Sequence, residues 1–132
     1  MDKRKKISAA AVVIISLAMP FLLAGCGEDK IGDRYVSFAS CLYQKGVKMY
    51  GTYWCPVCND QKSKFGVLGA AKLNYVECDG RGEGGNPDLC LRKGIARYPT
   101  WEFADGTKLV GELPLEQLAE KTGCKLPETN VD

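Results

Sequence analysis

The chain has 132 residues, enough for one domain with a single modest core. Eighteen basic against sixteen acidic residues leave a net charge of only +2, which excludes the strongly basic face of a nucleic-acid binder. Seven cysteines and no histidine exclude a histidine-ligated metal centre and turn attention to sulfur.

Residues 1–25 read as a secretory signal. "MDKRKK" is a basic start, and "ISAAAVVIISLAMPFLL" is an apolar run after it. An uncleaved membrane anchor is the alternative, but the run is near the lower limit for a span and contains Pro20. "LAGC", Leu23 to Cys26, resembles the lipobox of bacterial lipoproteins. That resemblance implies lipid on Cys26, a membrane-anchored mature chain, and an extracytoplasmic location on the periplasmic side or the cell surface. Cleavage removes Lys3, Arg4, Lys5, Lys6 and Asp2, so 107 residues with 14 basic and 15 acidic side chains remain, a net charge near −1. Six cysteines stay behind: Cys41, Cys55, Cys58, Cys78, Cys90 and Cys124. In an oxidising compartment an even set reads as disulfides, with 15 possible pairings.

Residues 26–33 form a polar tether, residues 34–126 the domain, and residues 127–132 a tail. "RYVSFASCLYQKG" predicts a helix ending at Gly46, with Tyr35, Phe38, Cys41 and Leu42 on one face. "VKMYGTYW" predicts a strand. "CPVCNDQKSKFG" predicts a helix beginning at Cys55, since Pro56 suits the first turn. "LNYVECD" is a second strand, followed by a glycine-rich loop from Gly80 to Pro87. No Lys-Ser/Thr follows those glycines, which argues against a phosphate loop. Asn86 and Pro87 read as the cap and first residue of a short helix, "DLCLRKG". "YPTWEF" and "TKLVGEL" are strands joined by "ADG", and Pro114 opens a last helix that Gly123 ends. Trp101 and Phe103 read as strand packing residues.

With "YWCPVC" opening the second helix and "GIARYPT" just before the hairpin, this order resembles the thioredoxin fold. The expected class is α/β (α+β), a central mixed sheet of about four strands flanked by helices, over roughly Arg34 to Cys124. "MYGTYWCPVCNDQKSKFG", "NYVECD", "YPTWEF" and "LAEKTGC" are similar to the thioredoxin-like domain associated with bacterial vitamin K epoxide reductase homologues. The resemblance implies a cis bond at Tyr98-Pro99, whose backbone can pair with an extended substrate.

The chemistry stands on the residues as well. A thiolate attacks a disulfide, and a helix N-terminus favours the thiolate. Cys55 at the exposed start is the expected nucleophile, and Cys58, one turn in, the resolving thiol. Pro56 stiffens the turn. Trp54 shields the pair and, with Pro56, Val57, Tyr98 and Pro99, would contact substrate. A zinc site would need more ligands than one Cys-x-x-Cys unit supplies, so no metal or other cofactor is expected. A purely structural Cys55–Cys58 bridge closes too small a loop to stabilise much.

Cys78 and Cys90 flank the glycine loop at a spacing that suits a disulfide, and the resembling subgroup carries such a pair. Cys41 and Cys124 then remain, and a bridge between them would tie the chain ends together. Both read as structural, with a second redox relay through Cys78–Cys90 as the alternative. Two positions depart from the family pattern. Val57 stands where strong oxidants hold a histidine, so Cys55 is expected to be less acidic than nucleophiles near about 3.5. Met49 occupies the place of a buried proton-transfer aspartate, leaving a water, Lys48 or the backbone to serve.

The expected function is that of an exported, lipid-anchored thiol–disulfide oxidoreductase, monomeric, with no nucleic-acid partner. It would act on cysteine-containing exported proteins and be reset by a membrane quinone-linked, vitamin K epoxide reductase-type oxidase or a thiol carrier. The alternatives are a reductase of the same fold and a non-catalytic lipoprotein binding module with only structural disulfides.

Overall fold

A computed structural model describes residues 34–128. The expected signal 1–25, Cys26 and its tether 26–33 lie outside the described residues, as do residues 129–132 of the expected tail.

Helix α1, Val36–Gln44, buries Phe38, Ala39 and Leu42. Gly46 then turns the chain at φ +74°, a conformation side chains rarely adopt. Strand β1, Lys48–Gly51, follows, then helix α2, Pro56–Ser63. A further helix α3, Gly66–Ala70, was not predicted, because "GVLGA" has poor helix propensity. Packing makes it: Phe65 stacks on Phe38 with ring centroids 5.9 Å apart, and a Cβ on Gly69 would meet the Tyr35 backbone at 3.3 Å. Strand β2 is Tyr75–Glu77. Helix α4, Pro87–Arg92, starts where Asn86 accepts the Leu89 amide at 3.0 Å. Strands β3, Thr100–Glu102, and β4, Lys108–Val110, form the hairpin, and helix α5, Leu115–Thr122, ends at Gly123 with φ +73°.

The sheet runs β2-β1-β3-β4. β1 pairs β2 in parallel and β3 antiparallel, and β3 pairs β4 antiparallel. This mixed four-stranded sheet flanked by helices is the thioredoxin fold. Alternation along β1 divides the interior. Met49 enters the main core with Phe38, Leu42, Phe65, Trp101, Phe103 and Leu118. Tyr50 turns to a smaller cluster with Cys78 and Cys90.

All four strands are shorter than their sequence pattern, and the ends of β1 and β4 have local causes. β1 ends at Gly51 because the chain turns, with the Cys55 amide donating to the Thr52 carbonyl at 3.1 Å. β4 ends before Leu113, whose amide donates to Gln61 Oε1 at 2.6 Å while Gln61 Nε2 donates to its carbonyl at 3.1 Å. Gln61 is fully buried, so this two-way bond fastens α2 to the segment entering α5.

Candidate active site

Cys55 is the N-cap of α2, and Pro56 is its first residue. The Cys55 sulfur accepts the Cys58 backbone N–H at 3.1 Å, so one orphan amide of the helix start points at that sulfur. Cys55 and Cys58 are joined by a disulfide, their Cα atoms 5.3 Å apart. Cys58 is 0% exposed and Cys55 only 5%, less open than its place at the helix start suggests. Both sulfurs sit in the main core cluster, so access to the pair is narrow and falls on Cys55.

The rim is apolar. Tyr53, Trp54 and Val57 are exposed, and Pro56 lies among them on the surface. The Tyr98-Pro99 bond is cis and Pro99 is buried. The Trp54 and Tyr98 rings meet edge to face, 6.4 Å apart at 85°. The structure therefore brings Trp54 and Tyr98 together beside the cysteine pair from segments far apart in the chain.

Trp54 is held from the side by residues that the sequence did not single out. Its Nε1 donates to Asp79 Oδ2 at 2.8 Å. Arg81 clasps the same carboxylate through Nη2 at 2.7 Å and Nε at 3.0 Å. The Arg81 side chain, its backbone N–H and Trp54, in that order, hold the Asp79 carboxyl far below the usual range. Asp79 follows Cys78 directly, and Cys78 is bonded to Cys90 on α4 with Cα atoms 5.8 Å apart. That disulfide pins the loop whose aspartate steadies Trp54. Cys41 on α1 is bonded to Cys124 after α5, Cα atoms 5.9 Å apart and 83 residues distant in sequence.

Below the pair, Gly51 leaves a notch. A Cβ there would lie 2.8 Å from Cys58 Sγ and 3.1 Å from the Tyr75 hydroxyl. Tyr75 donates to Glu77 Oε2 at 3.2 Å, and Glu77, 6% exposed, accepts the Asp79 amide on Oε1 at 2.8 Å. Lys62, one turn after Cys58, lies 4.5 Å over the Tyr75 ring. On the opposite sheet face, buried Glu102 accepts from Tyr50 at 2.6 Å and Lys93 at 3.0 Å. Burial opposes its ionisation, yet these bonds and the Lys93 and Lys108 charges outweigh it and lower its pKa.

Trp101 and Phe103 pack in the core, 1% and 6% exposed. Among the described residues no group of three or more Cys, Asp or Glu side chains converges to hold a metal ion, and no helix is long and apolar enough to cross a membrane.

No protein-family model matches the chain. It is 42% identical over 98 residues to thiol-disulfide oxidoreductase LTO1 of Arabidopsis thaliana. That match takes in 72% of this chain and 26% of the plant protein, so the chain spans about a quarter of its relative's length.

Proposed function

We propose that this chain is an exported, lipid-anchored thiol–disulfide oxidoreductase that works through Cys55 and Cys58. The observation that carries the reading is the helix-capping sulfur: Cys55 Sγ accepts the Cys58 amide at the N-terminus of α2 and is disulfide-bonded to the enclosed Cys58. The similarity to a plant thiol-disulfide oxidoreductase supports the same chemistry.

In the oxidising direction a partner thiolate attacks Cys55 Sγ, the Cys55–Cys58 bond breaks, and Cys58 leaves with the electron pair and takes a proton. A second partner thiolate then attacks the partner sulfur. Cys55 leaves as a thiolate, which the helix N-terminus favours, and the partner carries the new disulfide. The pair has gained two electrons and needs no organic cofactor to hold them. A membrane vitamin K epoxide reductase-type oxidase, linked to quinone, or a membrane thiol carrier would remove them. Partners are cysteine-containing exported proteins, met by the Trp54, Pro56, Val57 and Tyr98 rim with the Pro99 side chain buried beneath it, and the protein acts as a monomer. A reductase direction is the second reading. Val57 favours it, because a valine offers the Cys55 thiolate no donor or charge.

Trapping tests the roles. Reduced Cys58→Ala should accumulate mixed disulfides with partner proteins that carry a disulfide, and Cys55→Ala should trap none. Equal trapping by both variants would defeat the assignment. The anchor is tested separately: Cys26→Ser should release the protein from membranes or leave it unprocessed, and a wild-type mature mass without acyl addition would refute lipidation.

A further inference from the structure

We propose that Tyr75 and Glu77 form the proton relay of Cys58. The inference rests on the oxidoreductase reading above and concerns the step in which the enclosed sulfur gains or loses a proton.

Cys58 is 0% exposed. A thiol in such a place holds its proton more tightly than a free one and cannot hand it directly to solvent. Some group beneath α2 must take it. Met49 carries no proton, and Lys48 is set by strand alternation on the Tyr50 face of β1, away from Cys58. The parallel register places Tyr75 opposite Met49 and Glu77 opposite Gly51, so both point to the face that α2 covers. Because Gly51 has no side chain, Cys58 Sγ and the Tyr75 hydroxyl border one notch, 2.8 and 3.1 Å from the position a Cβ would occupy. The hydroxyl already donates to Glu77 Oε2 at 3.2 Å.

Burial first and the Glu77 carboxylate second raise the Tyr75 hydroxyl well above the ordinary phenol range. Tyr75 therefore stays protonated and serves as a bridge, and Glu77 is the acceptor. The charged and titratable groups facing them are Lys62 from α2, over the Tyr75 ring, Tyr98 from the segment before β3, and Asp79, whose amide bonds Glu77 while its carboxylate is engaged by Trp54 and Arg81.

When Cys58 resolves a mixed disulfide, its S–H proton passes to the Tyr75 oxygen as the Tyr75 proton passes to Glu77 Oε2. The freed sulfur pair forms the bond to Cys55 Sγ, the Cys55–partner bond breaks, and the partner leaves as a thiolate. Two electrons move from the cysteine pair to the partner. In the reverse direction Glu77 returns the proton through Tyr75 to the departing Cys58 thiolate.

The test mixes the reduced full-length protein, as wild type, Glu77→Gln or Tyr75→Phe, with glutathione disulfide between pH 5 and 9. Acid quenching and mass measurement follow glutathionylation of Cys55 and its resolution by Cys58. We expect glutathionylation to be unchanged and resolution to slow at least about tenfold near pH 6 in both variants, within the usual reach of acid–base catalysis. The gap should close toward pH 9, where hydroxide removes the thiol proton. The double variant should be no slower than either single one, because one relay is broken twice. Wild-type resolution in either variant, or slowing by one factor at every pH, overturns the relay while leaving the oxidoreductase reading intact. A wild type that is never glutathionylated defeats that reading instead. Tyr75→Phe keeps the ring under Lys62 and removes only the hydroxyl, which guards against a folding defect in Glu77→Gln.

Discussion

Trp54 Nε1 donates to Asp79 Oδ2 at 2.8 Å, across 25 residues of sequence. The bond ties the residue before Cys55 to the loop after β2, and Arg81 fixes the carboxylate from its other side. With its carboxyl held well below the usual range, Asp79 keeps its charge throughout neutral and mildly acidic pH.

Asp79→Ala should therefore free the Trp54 indole while leaving the fold in place. Trp101 is buried and Trp54 is exposed, so a change in the exposed component of tryptophan emission reports on Trp54. The partner concentration giving half-maximal exchange should rise several-fold, while small-thiol exchange stays near wild type. Unchanged emission together with unchanged partner dependence would show that the bond does not set the rim.

Val57→His should make the pair more oxidising. An imidazole near the helix start can favour the reduced Cys55 thiolate, and a contact worth about 1.4 kcal/mol shifts a two-electron couple by about 30 mV. A glutathione redox titration of wild type and variant measures the shift. A more reducing variant would contradict the electrostatic account of the Pro56-Val57 dipeptide.

The two remaining disulfides should separate by function. On the chain-entropy account, Cys41–Cys124 and Cys78–Cys90 contribute on the order of 3–5 kcal/mol each. Cys41→Ala/Cys124→Ala should lower the unfolding midpoint and spare exchange, since that bridge joins α1 to the segment after α5 and neither carries a rim residue. Cys78→Ala/Cys90→Ala should lower stability and also raise the partner concentration giving half-maximal exchange as Asp79→Ala does, because Asp79 adjoins Cys78. Loss of all small-thiol exchange in a folded Cys78→Ala/Cys90→Ala protein would favour the redox-relay role for that pair.

Glu102→Gln tests the buried charge on the second sheet face. The folded Glu102 pKa is lowered from its ordinary 4.5, so its contribution to stability is present above that value and lost as pH falls through the folded pKa. At pH 7 the variant should be less stable by about 1–3 kcal/mol, the usual cost of disrupting a buried charged hydrogen bond. Denaturant titrations at pH 7 and below pH 4 should show the two proteins converging in acid. A constant difference at every pH would remove the ionised carboxylate from the explanation.

Much of the architecture was legible in single residues. Pro56 after Cys55 marks the start of α2, Asn86-Pro87 the start of α4, and Gly123 the end of α5. Each is a local backbone preference, satisfied within a turn of chain. Helix α3 was not legible, since its glycines oppose a helix and only Phe65 against Phe38 and Gly69 against Tyr35 impose one. Cys55 was placed at the helix start but read as open, because burial depends on what the fold lays over the sulfur.

By itself the sequence determined the order of elements, the position of the cysteine pair at a helix N-terminus and the apolar character of its rim, all consequences of short-range pattern. Tertiary structure alone decided that Asp79 holds Trp54 and that Tyr75 and Glu77 lie under Cys58. Those relations follow from the parallel register of β1 with β2, Met49 opposite Tyr75 and Gly51 opposite Glu77. A slip of one residue would turn Tyr75 and Glu77 to the other face of the sheet, and no local signal in "LNYVECD" records which register the packed core selects.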